Sequence, residues 1–438
     1  MTTLSAHDRL EAALARIDAS DGEGARACLT VYREAARAAA TAADARARAG
    51  ISLGPLDGVI VSIKDLFDVA GEVTRAGSKV LAEEGKPAER DAPVVRALRA
   101  GGAVIVAKTN MTEFAFSGVG MNPHYGTPGN PADRARIPGG STSGGAVAVA
   151  DGMCEIAIGS DTGGSTRIPG ALCGLVGFKP SRQRISIAGV FPLAASIDSV
   201  GPIARSVADI AKADQVLADA VVAGDDFAAL EPAPLAGLRI GIAQGAPLEN
   251  LDEAVAKRFP QAIDRLEKAG CRLSNEKLAP LEGQARVNAR GGVQPVEAFA
   301  LHRDRLDRRG ADIDPNVRGR LERARGIGAA DFIEMVNERA TLIAAMDARL
   351  ADIDVLALPT TPIVAPTIAE MMAPEVFARK NAMLLRNTSI ANFFDLCAIS
   401  LPLPREGGLP TGLMLFVRNG HDRRLFRIAA AIERLLAG

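Results

Sequence analysis

The sequence predicts an α/β protein with a mixed, largely parallel central sheet covered by helices on both faces. Three observations carry this expectation. Short β-branched runs separated by glycines begin after Gly54 and recur at 59–63, 103–107 and 156–158. Helix-compatible stretches alternate with them, at 92–100 and from 144 to 150. That alternation builds parallel pairs whose crossover helices lie against the faces of the sheet.

Upstream of these runs, residues 5 to about 49 are rich in alanine and place Leu10, Ala13, Leu14 and Ile17 at helical spacing. One or two amphipathic helices packed on the outside of the body are expected there. Residues 221–237, rich in Ala, Asp and Pro, read as a surface connection and a candidate subdomain boundary. Beyond it, 238–243 is strand-like, 251–269 helix-like, and 295–350 a charged helix-compatible stretch. Residues 355–358, followed by Pro359, Thr360, Thr361 and Pro362, return to the sheet, and 395–402 and 413–417 add late strands. No repeat of fixed period is present, which sets a solenoid aside.

Residues of the hydrophobic set make up 48% of the chain and charged residues 24%, a globular profile that needs no staples. Lys+Arg 51 against Asp+Glu 52 gives a net charge of -1, so no whole-chain field exists to hold a nucleic acid or an anionic membrane. Cys28, Cys154, Cys173, Cys271 and Cys397 are scattered, without a CxxC pair or a ligand-spaced His/Cys cluster, so no metal site is expected. Charges interrupt the apolar positions of the first thirty residues, as no secretory signal would allow. A cytoplasmic protein with reduced thiols is expected.

Two glycine-serine segments stand out, PGGSTSGG at 138–145 and DTGGSTRIP at 161–169. Glycine runs let backbone N–H groups approach a ligand without obstruction, as in a phosphate loop or an oxyanion hole. No GxxxxGK[ST] and no GxGxxG after a strand supports the phosphate use, which leaves acyl transfer. A serine nucleophile needs a base. Of His7, His124, His302 and His421, only His124, in the 118–129 loop, stays a candidate. The GxSxG elbow is absent around both serines, against an α/β-hydrolase. Lys64 is the alternative. It follows the apolar run 59–63, and burial at a strand end lowers a lysine's pKa until the neutral amine can take a proton.

The segments GVIVSIKDLFDVAG, AKTNMTEFAFS, IPGGSTSGG and SDTGGSTRIPGALCGLVGFKPS, in this order, resemble the amidase signature family. The likeness is dense from about Gly54 to Pro202 and thinner beyond, where LPTTP at 358–362 and Asn392 still match. Ser141 and Ser165 lie 24 positions apart (165 minus 141), the separation expected of the family's two catalytic serines. The resemblance implies the amidase signature fold, an α/β/α sandwich, as one domain over 1–438. Within it, 1–49 would form N-terminal helices, 50–210 the signature core, and 238–438 the part completing the sheet and the substrate pocket. It makes Ser165 the nucleophile, Ser141 the bridging serine after a cis Gly140–Ser141 peptide, and Lys64 the base, with no cofactor.

On the same resemblance, backbone N–H groups of Thr162, Gly163, Gly164 and Ser165 would hold the oxyanion. Asp161 and Arg167 flank that loop and are expected to clamp it. Met111 and Gly140 are expected beside the substrate, although a methionine is more often core packing. The Arg-rich segment 303–325 reads as a solvated helical face, with one arginine able to hold a substrate carboxylate.

An amidohydrolase releasing ammonia from a small carboxamide through an acyl-enzyme is therefore expected. The alternatives are the A subunit of a tRNA-dependent amidotransferase, or a catalytically retired binding or assembly protein. NFFDLCAISLP at 392–402 carries Asp395 and Cys397 where the family more often has glycine and proline. In this it is similar to allophanate hydrolases, and with malonamidase-like relatives it hints at carboxylated amides such as malonamate, or at urea derivatives, without choosing a substrate. A homodimer is compatible with the sequence, since symmetric dimers are common among soluble enzymes.

Overall fold

A computed structural model describes residues 4–218 and 230–437. Eleven strands are described: β1 (Cys28–Val31), β2 (Ile60–Lys64), β3 (Val104–Thr109), β4 (Ile156–Asp161), β5 (Val176–Lys179), β6 (Ser199–Ala204), β7 (Arg239–Ala243), β8 (Arg272–Glu276), β9 (Val355–Pro359), β10 (Cys397–Pro402) and β11 (Gly412–Val417). They form one sheet in the order β1-β3-β2-β4-β6-β5-β10-β11-β9-β7-β8.

The sheet is mixed, but it is not largely parallel. Among the described residues, β2 pairs in parallel with β3 and β4, and β7 with β8 and β9. The other six pairings are antiparallel. The reason lies in the connections of the central strands. β10 and β11 are joined by the short segment 403–411, which reverses direction with no crossover helix.

Alternation along β2 sends successive side chains to opposite faces. Ile60 belongs to one apolar cluster, with the N-terminal helix Ala6–Asp18 and the helix Ser143–Ala150, while Val61 and Ile63 belong to another. The second cluster includes Val94, Val95 and Leu98 of the helix Pro93–Ala100, and Leu425 and Phe426 of the helix Asp422–Ala437. Helices therefore cover both faces. The N-terminal helix buries Leu10, Ala13, Leu14 and Ile17 and is capped by Ser5, whose hydroxyl accepts from the Asp8 N–H at 3.0 Å.

The alanine-rich N-terminal stretch holds a second long helix, Arg33–Arg48, and also β1, which adds to the sheet edge beside β3. The charged stretch after residue 293 divides into Val293–Arg309, Pro315–Glu322 and Ala329–Arg349. Of the connection expected at 221–237, residues 221–229 lie outside the described residues, and 230–237 carry no strand or helix. No described helix is long and apolar enough to cross a membrane.

Candidate active site

The parallel pair β2 and β4 ends side by side, with Lys64 the last residue of one strand and Asp161 the last of the other. The chain after β4 runs through Thr162, Gly163, Gly164 and Ser165 before the helix Arg167–Cys173. Ser141 stands two residues before the helix Ser143–Ala150, on the face of the sheet to which Ile60 points. The register places Ile63 opposite Ile158, the residues just before Lys64 and Gly159. A Cβ on Gly159 would lie 2.6 Å from Thr142, so the missing side chain gives the turn after Ser141 its space.

Backbone hydrogen bonds tie these segments together. Ser165 carbonyl accepts from the Thr142 N–H at 3.2 Å, Ser141 carbonyl from the Thr112 N–H at 3.1 Å, and Gly118 carbonyl from the Gly140 N–H at 2.9 Å. The Gly140–Ser141 peptide is cis. Gly140 also packs so closely on Gly120 that a Cβ would fall 2.5 Å from its nitrogen.

Lys64 is fully buried, and its Nζ donates to Ser141 Oγ at 2.8 Å and to Ser160 Oγ at 2.9 Å. Burial lowers its pKa to about 7, against the upward pull of the Asp161 and Asp198 carboxylates. At neutral pH a large fraction of this amine is unprotonated. Ser165 keeps 4% of its surface exposed, and its Oγ donates to no acceptor among the described residues. The arrangement holds a base, a hydroxyl touching it and a second, unengaged hydroxyl on an adjoining loop, which is the equipment of proton-relayed nucleophilic attack.

The loop is held from behind by an ion pair. Asp161 and Arg167 are both fully buried, and Arg167 Nε and Nη2 donate to the two Asp161 oxygens at 3.1 and 2.9 Å. Burial opposes ionisation of Asp161, but the guanidinium and several hydrogen bonds outweigh it and hold the carboxyl well below the usual range. The same carboxylate accepts from the Gly164 N–H at 2.8 Å and the Thr166 N–H at 3.1 Å. Asn392 Nδ2 reaches Asp161 Oδ1 at 2.9 Å, while Arg167 Nη2 donates to Asn392 Oδ1 at 2.7 Å and Nη1 to the Thr388 carbonyl at 2.8 Å. Thr388 Oγ1 in turn donates to the Gly163 carbonyl at 2.6 Å.

The Gly164 N–H is engaged by Asp161, which removes it from the donors available to an oxyanion. The N–H groups of Thr162, Gly163 and Ser165 have no acceptor among the described residues. What Gly164 supplies is conformation: φ is +129° and a Cβ would sit 2.2 Å from Thr388 Oγ1. Gly164→Ala is expected to lower stability by about 2 kcal/mol, read by urea unfolding, and to lower turnover through the displaced loop. Met111 is fully buried within the main apolar cluster, so the structure assigns its side chain to packing and places only its backbone near Ser141, through Thr112. Likewise, the Gly140 N–H is spent on Gly118.

Sequence reading missed Ser160, Thr388 and Asp198, which accepts from Thr162 Oγ1 at 2.5 Å. Ser160 was legible as the residue before Asp161 in the same motif. Thr388 and Asn392 are spaced four apart on the helix Pro374–Phe393, as residues sharing one helix face should be. His124 Nε2 lies 3.1 Å from Glu113 Oε2, and burial lowers the His302 pKa to about 3. No cluster of three metal-ligating side chains forms among the described residues.

A family model described as Amidase matches residues 8–426. The chain is 35% identical over 407 residues to a 2-amino-5-chloromuconic acid deaminase of Comamonas testosteroni, covering 92% of this chain and 86% of that protein. It is 36% identical to the A subunit of the glutamyl-tRNA(Gln) amidotransferase of Anaeromyxobacter sp. (strain K), covering 99% of this chain and 93% of that one. A solved amidase crystal structure superposes with a TM-score of 0.86 at 31% identity, covering 99% of this chain and 96% of that chain.

Proposed function

The chain belongs to the amidase family, and on that premise we propose that it cleaves the C–N bond of a small carboxamide to carboxylate and ammonia through an acyl-enzyme on Ser165. The 2.8 Å contact from the buried Lys64 amine to Ser141 Oγ carries this reading. Neutral Lys64 draws a proton from Ser141 as Ser141 takes one from Ser165, whose oxygen attacks the amide carbon. The N–H groups of Thr162, Gly163 and Ser165 stabilise the oxyanion, each donor being worth about 3 kcal/mol in such a site. The proton returns along the relay to the departing nitrogen, and ammonia leaves. Water then attacks the acyl-enzyme with Lys64 again as base, releasing the carboxylate and restoring Ser165.

The pH dependence follows from the lysine. Its pKa of about 7 lies below the ordinary 10.5, so the competent, unprotonated form grows as pH rises through 7. The kcat/KM profile is expected to have an acid limb with a midpoint near pH 7, measured as initial ammonia release on a neutral amide. A limb near pH 4 would remove Lys64 as the base, and one near 10 would mean that its pKa is not lowered.

One relative is named as a deaminase, whereas the amidotransferase relative is named as a subunit, which favours the same chemistry inside a complex. The purified protein, with no partner added, is to be assayed for ammonia release against aliphatic, aromatic and carboxylated amides, and for labelling by a fluorophosphonate. Turnover with labelling at Ser165 supports the stand-alone hydrolase. Labelling without turnover, together with ammonia transfer once partner subunits and tRNA are supplied, moves the assignment to the amidotransferase. Failure of the folded protein to label removes Ser165 as nucleophile and favours a catalytically retired binding or assembly role.

A further inference from the structure

The loop that carries Ser165 is held on a second side, at Thr162. The β4–β6 ladder ends at Asp161 opposite Ser199, so the residue after the one strand, Thr162, meets the residue before the other, Asp198. Thr162 Oγ1 donates to Asp198 Oδ1 at 2.5 Å, and Ser199 Oγ donates to the Asp161 carbonyl at 2.7 Å. Asp198 also accepts from the N–H groups of Leu193 at 2.9 Å and Ala194 at 3.1 Å. The segment that supplies those N–H groups is tied in turn to the helix Val293–Arg309, where Glu297 accepts from the Ser196 N–H at 3.1 Å and from its hydroxyl.

All three partners donate to Asp198, as suits an ionised carboxylate, which can only accept. Burial raises its pKa, these donors oppose the rise, and the nearby Glu297 adds to it. Asp161 has its charge met by Arg167, whereas Asp198 forms no ion pair with a lysine or arginine among the described residues. The sheet decides which cation its field reaches. β2, which ends on Lys64, and β6, which begins after Asp198, flank β4 on its two sides. Two strand spacings, about 10 Å, separate them. Between them stand Ser160, which accepts from Lys64, and Thr162, which donates to Asp198. Asp161 and Asp198 are the carboxylates that act on Lys64. When the relay passes the Ser165 proton through Ser141 to Lys64, Nζ becomes a fully buried ammonium, and a buried cation is costly without a counter-charge.

We propose that Asp198 is a positioning residue for the reaction: it fixes Thr162 as an oxyanion donor and supplies the negative charge against which the Lys64 ammonium forms. The kinetic side of this assignment rests on the amidase reading above; the pairing of Asp198 with the lysine does not. Asp198 touches no reacting atom and takes no proton itself, so the proton resting on Lys64 returns to the leaving nitrogen.

The test measures ammonia release from butyramide across pH in wild type, Asp198→Asn, Asp198→Glu and Thr162→Val. Asp198→Asn should lose about 10- to 100-fold in kcat on the alkaline plateau, with KM changed less than about threefold. Its acid limb of kcat/KM should move about 0.5–1 pH unit below the wild-type midpoint, because burial then acts on Lys64 with one carboxylate fewer to oppose it. Asp198→Glu keeps the charge and should hold the limb at the wild-type position. Thr162→Val breaks the hydrogen bond but keeps the charge, so it should lower kcat about tenfold without moving the limb down. An unmoved limb in Asp198→Asn, or a wild-type kcat in Thr162→Val, overturns the proposal while leaving the hydrolase intact, and the second result does so even if Asp198→Asn fails to fold. Titration of isotope-labelled lysine side chains by NMR, with Lys64→Met to assign the signal, reads the Lys64 pKa without turnover. A lower value in folded Asp198→Asn than in wild type sustains the charge pairing even if no amide is hydrolysed, when only the amidase reading fails, and an unchanged value overturns it.

Discussion

Ser165→Ala is expected to lower kcat for ammonia release by about 10,000-fold or more with little change in KM, because it removes the atom that forms the acyl bond and leaves the pocket as it is. Ser165 Oγ holds no other group in place among the described residues, so the variant should fold with unchanged unfolding curves. It should also lose fluorophosphonate labelling. Residual catalysis would come from the N–H groups of Thr162, Gly163 and the new residue 165, which the substitution leaves in position. A variant that keeps more than about a tenth of the wild-type rate would exclude an acyl-enzyme on this residue.

The second large effect concerns stability. Asp161→Asn leaves Arg167 fully buried beside a neutral amide, and breaking such a pair by removing one charge typically costs about 3–5 kcal/mol. Urea unfolding should show it as a lower midpoint at unchanged slope. The pH dependence has a definite sign. Asp161's folded pKa lies below its ordinary 3.8, so its contribution is complete above that value and is lost as pH falls towards the folded pKa. The wild type should therefore lose stability below about pH 4 more steeply than Asp161→Asn. Activity should fall in the same variant, since Gly164 and Thr166 lose the carboxylate that shapes their loop.

Much of this site was legible in the sequence for identifiable reasons. Lys64 announced itself as a charge at the end of an unbroken apolar run, and β2 does end on it. Ser141 and Ser165 were found through the motifs around them, and the structure shows how segments 24 positions apart meet: Thr142 donates to the Ser165 carbonyl. The bond from the Gly164 N–H to Asp161 was not legible, because sequence shows that a glycine is present but not whether its N–H or its missing side chain is used. β6 went unread because it contains Gly201 and Pro202, which argue against a strand inside a sheet. Its pairing with β5 stops at Ile203, so Pro202 needs no donor on that side. The helix Pro374–Phe393 is apolar on more than one side and gives a weak periodic signal, which hid Thr388 and blurred the role of Asn392.

Arg167 and Asp161 stand six positions apart, yet the residue that bonds both of them, Asn392, arrives 231 positions after Asp161. During synthesis, residue 392 must leave the ribosome before that bond can close, with β10 and β11 still to follow. Contacts of such long range are slow to form, because their loop-closure entropy is spent before they return any stability. A nascent chain thus carries both serines and the lysine well before Asn392 can join the clamp on the loop that carries Ser165. The clamp on the loop that carries Ser165 and the strands β10 and β11 thus both depend on residues late in the sequence.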